Sequence, residues 1–381
     1  MANNNENKVL NVPHLRFPEF CGEWKDCSIQ DYGEVVTGNT PPTSHAEYYE
    51  NGTYLWASPA DLGINKNITE TKTKLSLSGF KKTKNIPKGS VLVTCIGSTI
   101  GKMGMATETM ASNQQINSIV VNDKSNCDFV YYAICRAFPR YLAEVGVQAV
   151  PILSKSNFEK LPNYTTCREE QDKIGYFLNL LDERIATQNK IIEDLKKLKS
   201  AIAECLFKTI KGDIIALSDI CDIVKGKQIN GEFLSESGKY YVMNGGTEPS
   251  GFYDDYNVEA NTISISEGGN SCGYVQFNIL PFWSGGHCYT IQEITNNIDN
   301  MYLYHYLKSK EDAIMQLRIG SGLPNIQKKD LANFKVIVPT IERQKTISVF
   351  LSLLERKAEI EADILVAMQS EKQYMLRQMF I

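Results

Sequence analysis

Glu170-Gln-Asp-Lys-Ile-Gly-Tyr-Phe-Leu-Asn-Leu-Leu-Asp182 returns as Arg343-Gln-Lys-Thr-Ile-Ser-Val-Phe-Leu-Ser-Leu-Leu-Glu355, roughly 173 residues further on. The register extends back to Leu153-Ser-Lys-Ser-Asn-Phe158 on Ile326-Gln-Lys-Lys-Asp-Leu331. It runs forward through Lys199 on Lys372, Ile202 on Met375 and Phe207 on Phe380 without a gap. A chain that carries two copies of one unit has approximate two-fold symmetry built in. Such a chain is suited to a target that is itself in two parts.

From Ile174 the apolar positions step by four and three: Ile174, Leu178, Leu181, Ile185, Gln188, Ile192, Leu195, Lys199, Ile202 and Leu206. The second copy reads Ile347, Leu351, Leu354, Ala358, Glu361, Leu365, Met368, Lys372, Met375 and Met379. This is a coiled-coil seam. A helix from Glu169 to Phe207 would be about 58 Å long, too long and regular for the core of a small globule. The two seams are expected to pack on each other antiparallel, because a two-fold axis across the rod requires it. The aligned polar residues Gln188 and Glu361 would then meet near that axis and fix the register.

The stretches before the helices repeat as well. Asp31-Tyr-Gly-Glu-Val-Val-Thr-Gly38 matches Asp219-Ile-Cys-Asp-Ile-Val-Lys-Gly226, and Val91–Thr94 with Gly97 and Gly101 matches Ile263–Ser266 with Gly269 and Gly273. Ala111–Ile119 matches Trp283–Ile291, and Val150-Pro151 matches Leu323-Pro324. The first copy carries an insertion of roughly fifteen residues before Val91. Short β-rich runs end in Gly/Ser turns, as strands of a globule do. The order is globule, helix, globule, helix, with boundaries at 1–167, 168–211, 212–340 and 341–381. The fold class is α+β: two mixed α/β globules separated by two long helices packed as an antiparallel coiled coil, with a pseudo-two-fold internal repeat.

Composition excludes several classes of function. The 381 residues carry a net charge of −4, ten cysteines and four histidines. No apolar run spans a membrane. The start, Met1 to Asn7, reads as a polar tail rather than a signal peptide. No Cys-x-x-Cys or zinc-ligand spacing occurs, so reduced thiols, no metal site and a cytoplasmic location are expected. The Gly97–Gly101 and Glu267–Gly273 turns are not P-loops, since no Gly-Lys-Ser/Thr follows. Asn39-Thr-Pro-Pro-Thr43 is similar to the Asn-Pro-Pro-Tyr of amino-methyltransferases, but it has an inserted Thr and no aromatic to stack a flipped base. No glycine-rich S-adenosylmethionine loop and no catalytic triad stands out. Ser112-Asn-Gln-Gln-Ile-Asn117 is dense in side chains that bond adenine edges, while its counterpart Ser284-Gly-Gly-His287 is polar but different. A polar turn before a strand would look the same.

Taken in order, these features resemble the specificity (S) subunit of type I restriction-modification systems. The resemblance rests on Val12-Pro-His-Leu-Arg-Phe-Pro-Glu-Phe-Cys-Gly-Glu-Trp24, on the Gly38 and Gly226 segments, and on Glu170-Gln171 and Arg343-Gln344 with their following Phe-Leu-x-Leu-Leu. Val338-Pro339 precedes the second helix, whereas Thr165-Thr166 stands before the first. The resemblance implies a chain without catalysis of its own. Each globule would be a target recognition domain reading one half of a split double-stranded DNA sequence. The helices would set the gap and dock two methyltransferase subunits, which would bring S-adenosylmethionine, and motor-nuclease subunits would add cleavage.

Turn chemistry then nominates DNA contacts. In the first globule these are Thr37, Gly38, Asn39, Lys81, Lys82, Lys84, Ser98, Thr99, Lys102, Asn113, Gln114, Gln115 and Asn117. In the second they are Lys225, Lys227, Gln228, Asn244, Gly245, Asn270, Ser271, Ser284 and His287. Two other readings stand beside this one: a non-enzymatic coiled-coil scaffold with two β-rich binding domains, and a methyltransferase with fused recognition domains. A neighbouring methyltransferase gene would favour the S-subunit reading.

Overall fold

The computed structural model of the chain describes residues 10–145, 151–320 and 324–381. The polar start, Met1 to Asn7, and the aligned pair Val150 and Leu323 lie outside them. The chain divides into two compact units, Met1–Thr187 with Leu365–Ile381, and Gln188–Ile364.

In the first unit a five-stranded sheet runs in the order Gly33–Thr37, Ile116–Val121, Val91–Thr94, Met103–Ala106, Asn67–Ile68. Val35 and Val91 flank Ile119 on the second strand, Ile116–Val121. A second sheet joins Thr73–Leu75, Tyr54–Ala57 and Ala111–Ser112, and Lys25–Ser28 pairs with Pro162–Thr165. The helix Cys127–Val145 covers one face of the large sheet, so Phe129, Tyr132 and Ile134 join Val91, Val93 and Ile119 in one core. Leu55, Leu62, Leu92 and Ile116 fill a core on the opposite face.

In the second unit the sheet order is Asp222–Lys225, Cys288–Gln292, Thr262–Ser266, Val275–Asn278. Phe252–Tyr253, Tyr240–Met243 and Trp283–Ser284 form a three-stranded sheet, and Asp213–Ala216 pairs with Lys335–Val338. The same order therefore recurs, strand for strand. The exception is Asn67–Ile68, which lies in the stretch inserted in the first copy and pairs parallel to Met105–Ala106.

Each long helix is rooted in the same way. The central helix spans Arg168–Thr209 and the C-terminal helix Ile341–Met379. Gln171 is buried, donates to the Thr166 carbonyl at 2.8 Å and accepts the Asn126 N–H at 2.9 Å. Gln344 is buried too, donates to the Pro339 carbonyl at 2.9 Å and accepts the Asp299 N–H at 2.8 Å. A buried amide must find such partners, so each Gln fixes its helix entry to the loop ahead of the domain helix. At the far ends, Phe207 packs against Tyr302 and Tyr306, with ring centroids 5.8 and 5.2 Å away. Phe380 packs likewise against Trp24 and Phe129, at 5.9 and 5.3 Å.

Every seam position named from the sequence is buried or half-buried. Within the second unit the Gln188 amide donates to the Glu361 carbonyl at 2.9 Å and to its carboxylate at 2.5 Å. Two further clusters link domain to helix. In the first unit the Tyr132 hydroxyl donates to Asp182 at 2.5 Å, and Lys372 pairs with the same carboxylate. In the second unit the Tyr304 hydroxyl donates to Glu355 at 3.2 Å, and Lys199 pairs with it at 2.8 Å. Tyr132 aligns with Tyr304, Asp182 with Glu355, and Lys199 with Lys372.

Candidate nucleic-acid interface

Each globular region gathers its nominated loops around one crossing of backbone. In the first unit Gly38 runs beneath Ser112 and Asn113 so closely that a Cβ would fall on their carbonyl oxygens. The Gly38 N–H bonds the Ile116 carbonyl at 3.1 Å and the Asn39 N–H bonds that of Ser112 at 2.9 Å. Gly226 repeats the arrangement beneath Ser284 and Gly285. Its N–H meets the Cys288 carbonyl at 2.9 Å, and the Lys227 N–H meets that of Ser284 at 2.8 Å. Here the glycines are required by close approach of two backbone segments.

Side chains then tie the first unit's loops together. Asn39 donates to the Lys82 carbonyl and accepts the Lys84 N–H, both at 2.9 Å, while Lys84 Nζ reaches the Thr37 carbonyl at 3.1 Å. The Trp56 indole N–H donates to the Asn39 carbonyl at 3.1 Å. Thr37 donates to Asn117 at 2.7 Å. Asn113 closes its own turn by accepting the Gln115 N–H at 3.0 Å. Asn113 and Asn117 are buried, so both side chains are committed to the fold. Lys81, Lys82, Lys84, Ser98, Lys102 and Gln114 are exposed, and Thr99 and Gln115 half-buried. Gln114 accepts the Thr40 hydroxyl at 2.5 Å, and Gln115 donates to the Ile96 carbonyl at 3.4 Å. The segments 37–40, 82–84, 96–97 and 112–117 thus form one connected cluster.

The second unit builds the same cluster from other residues. Asn244 accepts the His287 N–H at 3.1 Å, and Gly245, at a φ of 81°, accepts the Ser266 hydroxyl at 2.8 Å. The Gly269 N–H bonds the Pro324 carbonyl at 3.0 Å, which leaves Asn270 exposed and Ser271 half-buried at the tip of the turn. Ser284 is buried and its N–H donates to Asn257 at 2.7 Å. Lys225, Lys227, Gln228 and His287 are exposed. The Trp283 indole N–H donates to the Lys227 carbonyl at 2.9 Å, the role Trp56 plays toward Asn39.

The sequence reading missed Glu267, which is 6% exposed and lies 2.5 Å from Lys225 Nζ and 3.2 Å from the Tyr289 hydroxyl. His287 Nδ1 stands 3.4 Å from its second oxygen. A carboxylate opening a glycine turn, aligned with Cys95, was the available signal. Among the described residues no group of three or more His, Cys, Asp or Glu could hold a metal ion, and no helix is long and apolar enough to cross a membrane.

Comparison with known proteins supplies the class of ligand. The model of the type I restriction modification DNA specificity domain matches the chain twice, over residues 22–197 and 212–369. The MjaIX type I restriction enzyme specificity subunit of Methanocaldococcus jannaschii is 26% identical over 383 residues, covering 87% of this chain and 86% of that protein. A putative type I specificity subunit of Mycoplasma pneumoniae is 34% identical over 145 residues, 38% of each chain. The crystal structure of a type I restriction-modification S subunit from M. genitalium shares the fold. Its TM-score is 0.65 at 21% identity, over 97% of this chain and 99% of that one.

Proposed function

Because the chain belongs to the type I restriction-modification DNA specificity family, we propose that each of its globular regions reads one half of a bipartite double-stranded DNA target. The observation that carries this reading is one loop frame built twice, around Gly38 and around Gly226, with different exposed side chains on each copy. A shared frame with diverged polar tips is what two readers of different sequences need. Phosphate contact falls to Lys81, Lys82, Lys102 and Lys227. Base-edge contact falls to exposed donors and acceptors such as Gln114, Gln228, Asn270 and His287. The buried Asn113, Asn117 and Ser284 support the loops from beneath.

The helices pair as an antiparallel coiled coil about a pseudo-two-fold axis. The Tyr132–Asp182–Lys372 and Tyr304–Glu355–Lys199 clusters support this. In each, the tyrosine and carboxylate come from one copy of the repeat and the lysine from the other. Such an exchange is what a two-fold relation between the helices produces. The meeting of Gln188 with Glu361, aligned positions near each helix middle, supports the same axis. The recognition domains are 1–167 and 212–340, and the helical spacers 168–211 and 341–381.

The helix pair sets the unread gap and docks two methyltransferase subunits. Exposed apolar side chains recur at aligned positions, Tyr176 and Leu180 on one helix, Val349 and Leu353 on the other. Two like patches suit two like partners. The partners supply S-adenosylmethionine and the methyl transfer, motor-nuclease subunits supply cleavage, and this chain, in the cytoplasm, supplies no catalysis. With a net charge of −4, it relies on local lysines and on its partners for phosphate attraction. The test is to purify the chain with its methyltransferase and select binding sites from random duplex DNA. A bipartite motif bound by a complex of two methyltransferases per chain is expected. A contiguous motif, or none, contradicts the reading.

A further inference from the structure

Three aligned positions differ in concert between the two regions, and in each region their side chains touch. In the first they are Thr37, Cys95 and Asn117: Thr37 donates to Asn117 at 2.7 Å, and Asn117 lies beside the buried Cys95 thiol. In the second they are Lys225, Glu267 and Tyr289. Lys225 Nζ lies 2.5 Å from Glu267 Oε1, and the Tyr289 hydroxyl lies between that oxygen, at 3.2 Å, and the Ile326 carbonyl, at 3.1 Å. A neutral trio at the strand ends has been replaced by a charged one.

The charged trio is asymmetric in its exposure. The Glu267 side chain is 8% exposed and that of Lys225 is 50% exposed. Glu267 is also fixed from behind. Its N–H bonds the His287 carbonyl at 2.9 Å, and its own carbonyl takes the Ile326 N–H at 2.8 Å. A lysine that only attracts phosphate gains nothing from being held, because charge acts at a distance and the flexible side chain loses rotamer freedom. Lys225 is held. One of its three N–H donors is given to Glu267, which leaves two on the solvent side at a defined place. Two donors fixed beside each other match the O6 and N7 acceptors of a guanine in the major groove.

Building on the DNA-reading function above, we propose that Lys225 reads a guanine in the half-site bound by the second region, with Glu267 as its positioning residue. The first region is neutral at the three aligned positions, and there Lys84 reaches the Thr37 carbonyl rather than a buried carboxylate. Fixing the ammonium before binding removes part of the ordering cost that a free lysine meets on contact.

The test uses the complete complex of this chain with its methyltransferase, and sites selected from random duplex DNA. Lys225→Met should relax one guanine position in one half-site by roughly 5- to 150-fold and leave the other half unchanged. Glu267→Gln keeps the shape but loses the charge that holds the ammonium, so it should relax the same position to a smaller extent. If Glu267→Gln folds poorly, Lys225→Met, at a half-exposed side chain, carries the test alone. A Lys225→Met complex that binds every sequence more weakly, keeps its motif and shows a salt slope smaller by about one would make Lys225 a phosphate contact and overturn the proposal. Unchanged motif and unchanged affinity would overturn it as well. A wild-type complex that selects no bipartite motif would instead sink the underlying DNA-reading function, a separate and recognisable failure.

Discussion

Acid should loosen the root of the C-terminal helix and spare that of the central helix. His305 lies on the helix Asn300–Ser309, 2% exposed, with Nε2 2.9 Å from the Ser352 hydroxyl. Burial pushes its pKa down from 6.5 to about 4; Lys199 adds to the shift, and Glu355 and Asp299 oppose it. Between those pH values the unfolded chain takes up a proton that the folded chain refuses. Stability is therefore full above about pH 6.5, falls as the pH drops, and levels off below about pH 4. At about 1.4 kcal/mol for each pH unit of the window, the full loss is about 3 kcal/mol, and about 2 kcal/mol is lost by pH 5. The aligned position in the first unit is Ala133, which has nothing to titrate. Hydrogen exchange, corrected for its intrinsic pH dependence, should show residues 348–355 losing about 30-fold in protection between pH 7 and pH 5. Residues 175–182 should change less. His305→Phe should remove the difference. The reasoning is refuted if His305→Phe keeps the wild-type pH dependence, or if both helix roots loosen together.

Three further outcomes follow from the geometry. Gly226→Ala puts a Cβ on the Ser284 and Gly285 carbonyls, so it should cost about 1–3 kcal/mol in urea unfolding and damage one half of the recognised motif, with Gly38→Ala damaging the other. Phe207→Ala empties a fully buried aromatic site against Tyr302 and Tyr306; unfolding midpoints should report a loss of about 3–5 kcal/mol. One heptad added to the middle of both long helices keeps their pairing in register and lengthens each by about 10 Å, so methylation mapping should show the unread gap grow by about three base pairs with both half-sites kept.

The long helices were legible because a seam every three or four residues needs no tertiary context. The reading from Glu169 to Phe207 falls inside the observed Arg168–Thr209. Gly38 and Gly226 were legible as paired landmarks, but the reason for them, a crossing chain at Ser112 and Ser284, depends on contacts far apart in sequence. Asn113 and Asn117 were nominated on turn chemistry, and the burial of Asn117 was not legible because the strand Ile116–Val121 is covered on both faces. Residues Ile116 to Ile119 are all buried, so no alternation marked which side chains face inward. The helices Cys127–Val145 and Asn300–Ser309 were passed over in a reading dominated by β-rich runs. Glu267 stayed hidden because its partner Lys225 lies 42 residues away, and only the register of the intervening strands brings them together.

The central claim is that two globular regions read two halves of one target independently. Its most direct test is to replace residues 212–340 with the corresponding region of a relative of different specificity, keep both long helices, and map DNA methylation across a genome by long-read sequencing. The account predicts a motif in which one half and the gap are unchanged and the other half is that of the donor. A motif altered in both halves, or in neither, would contradict it.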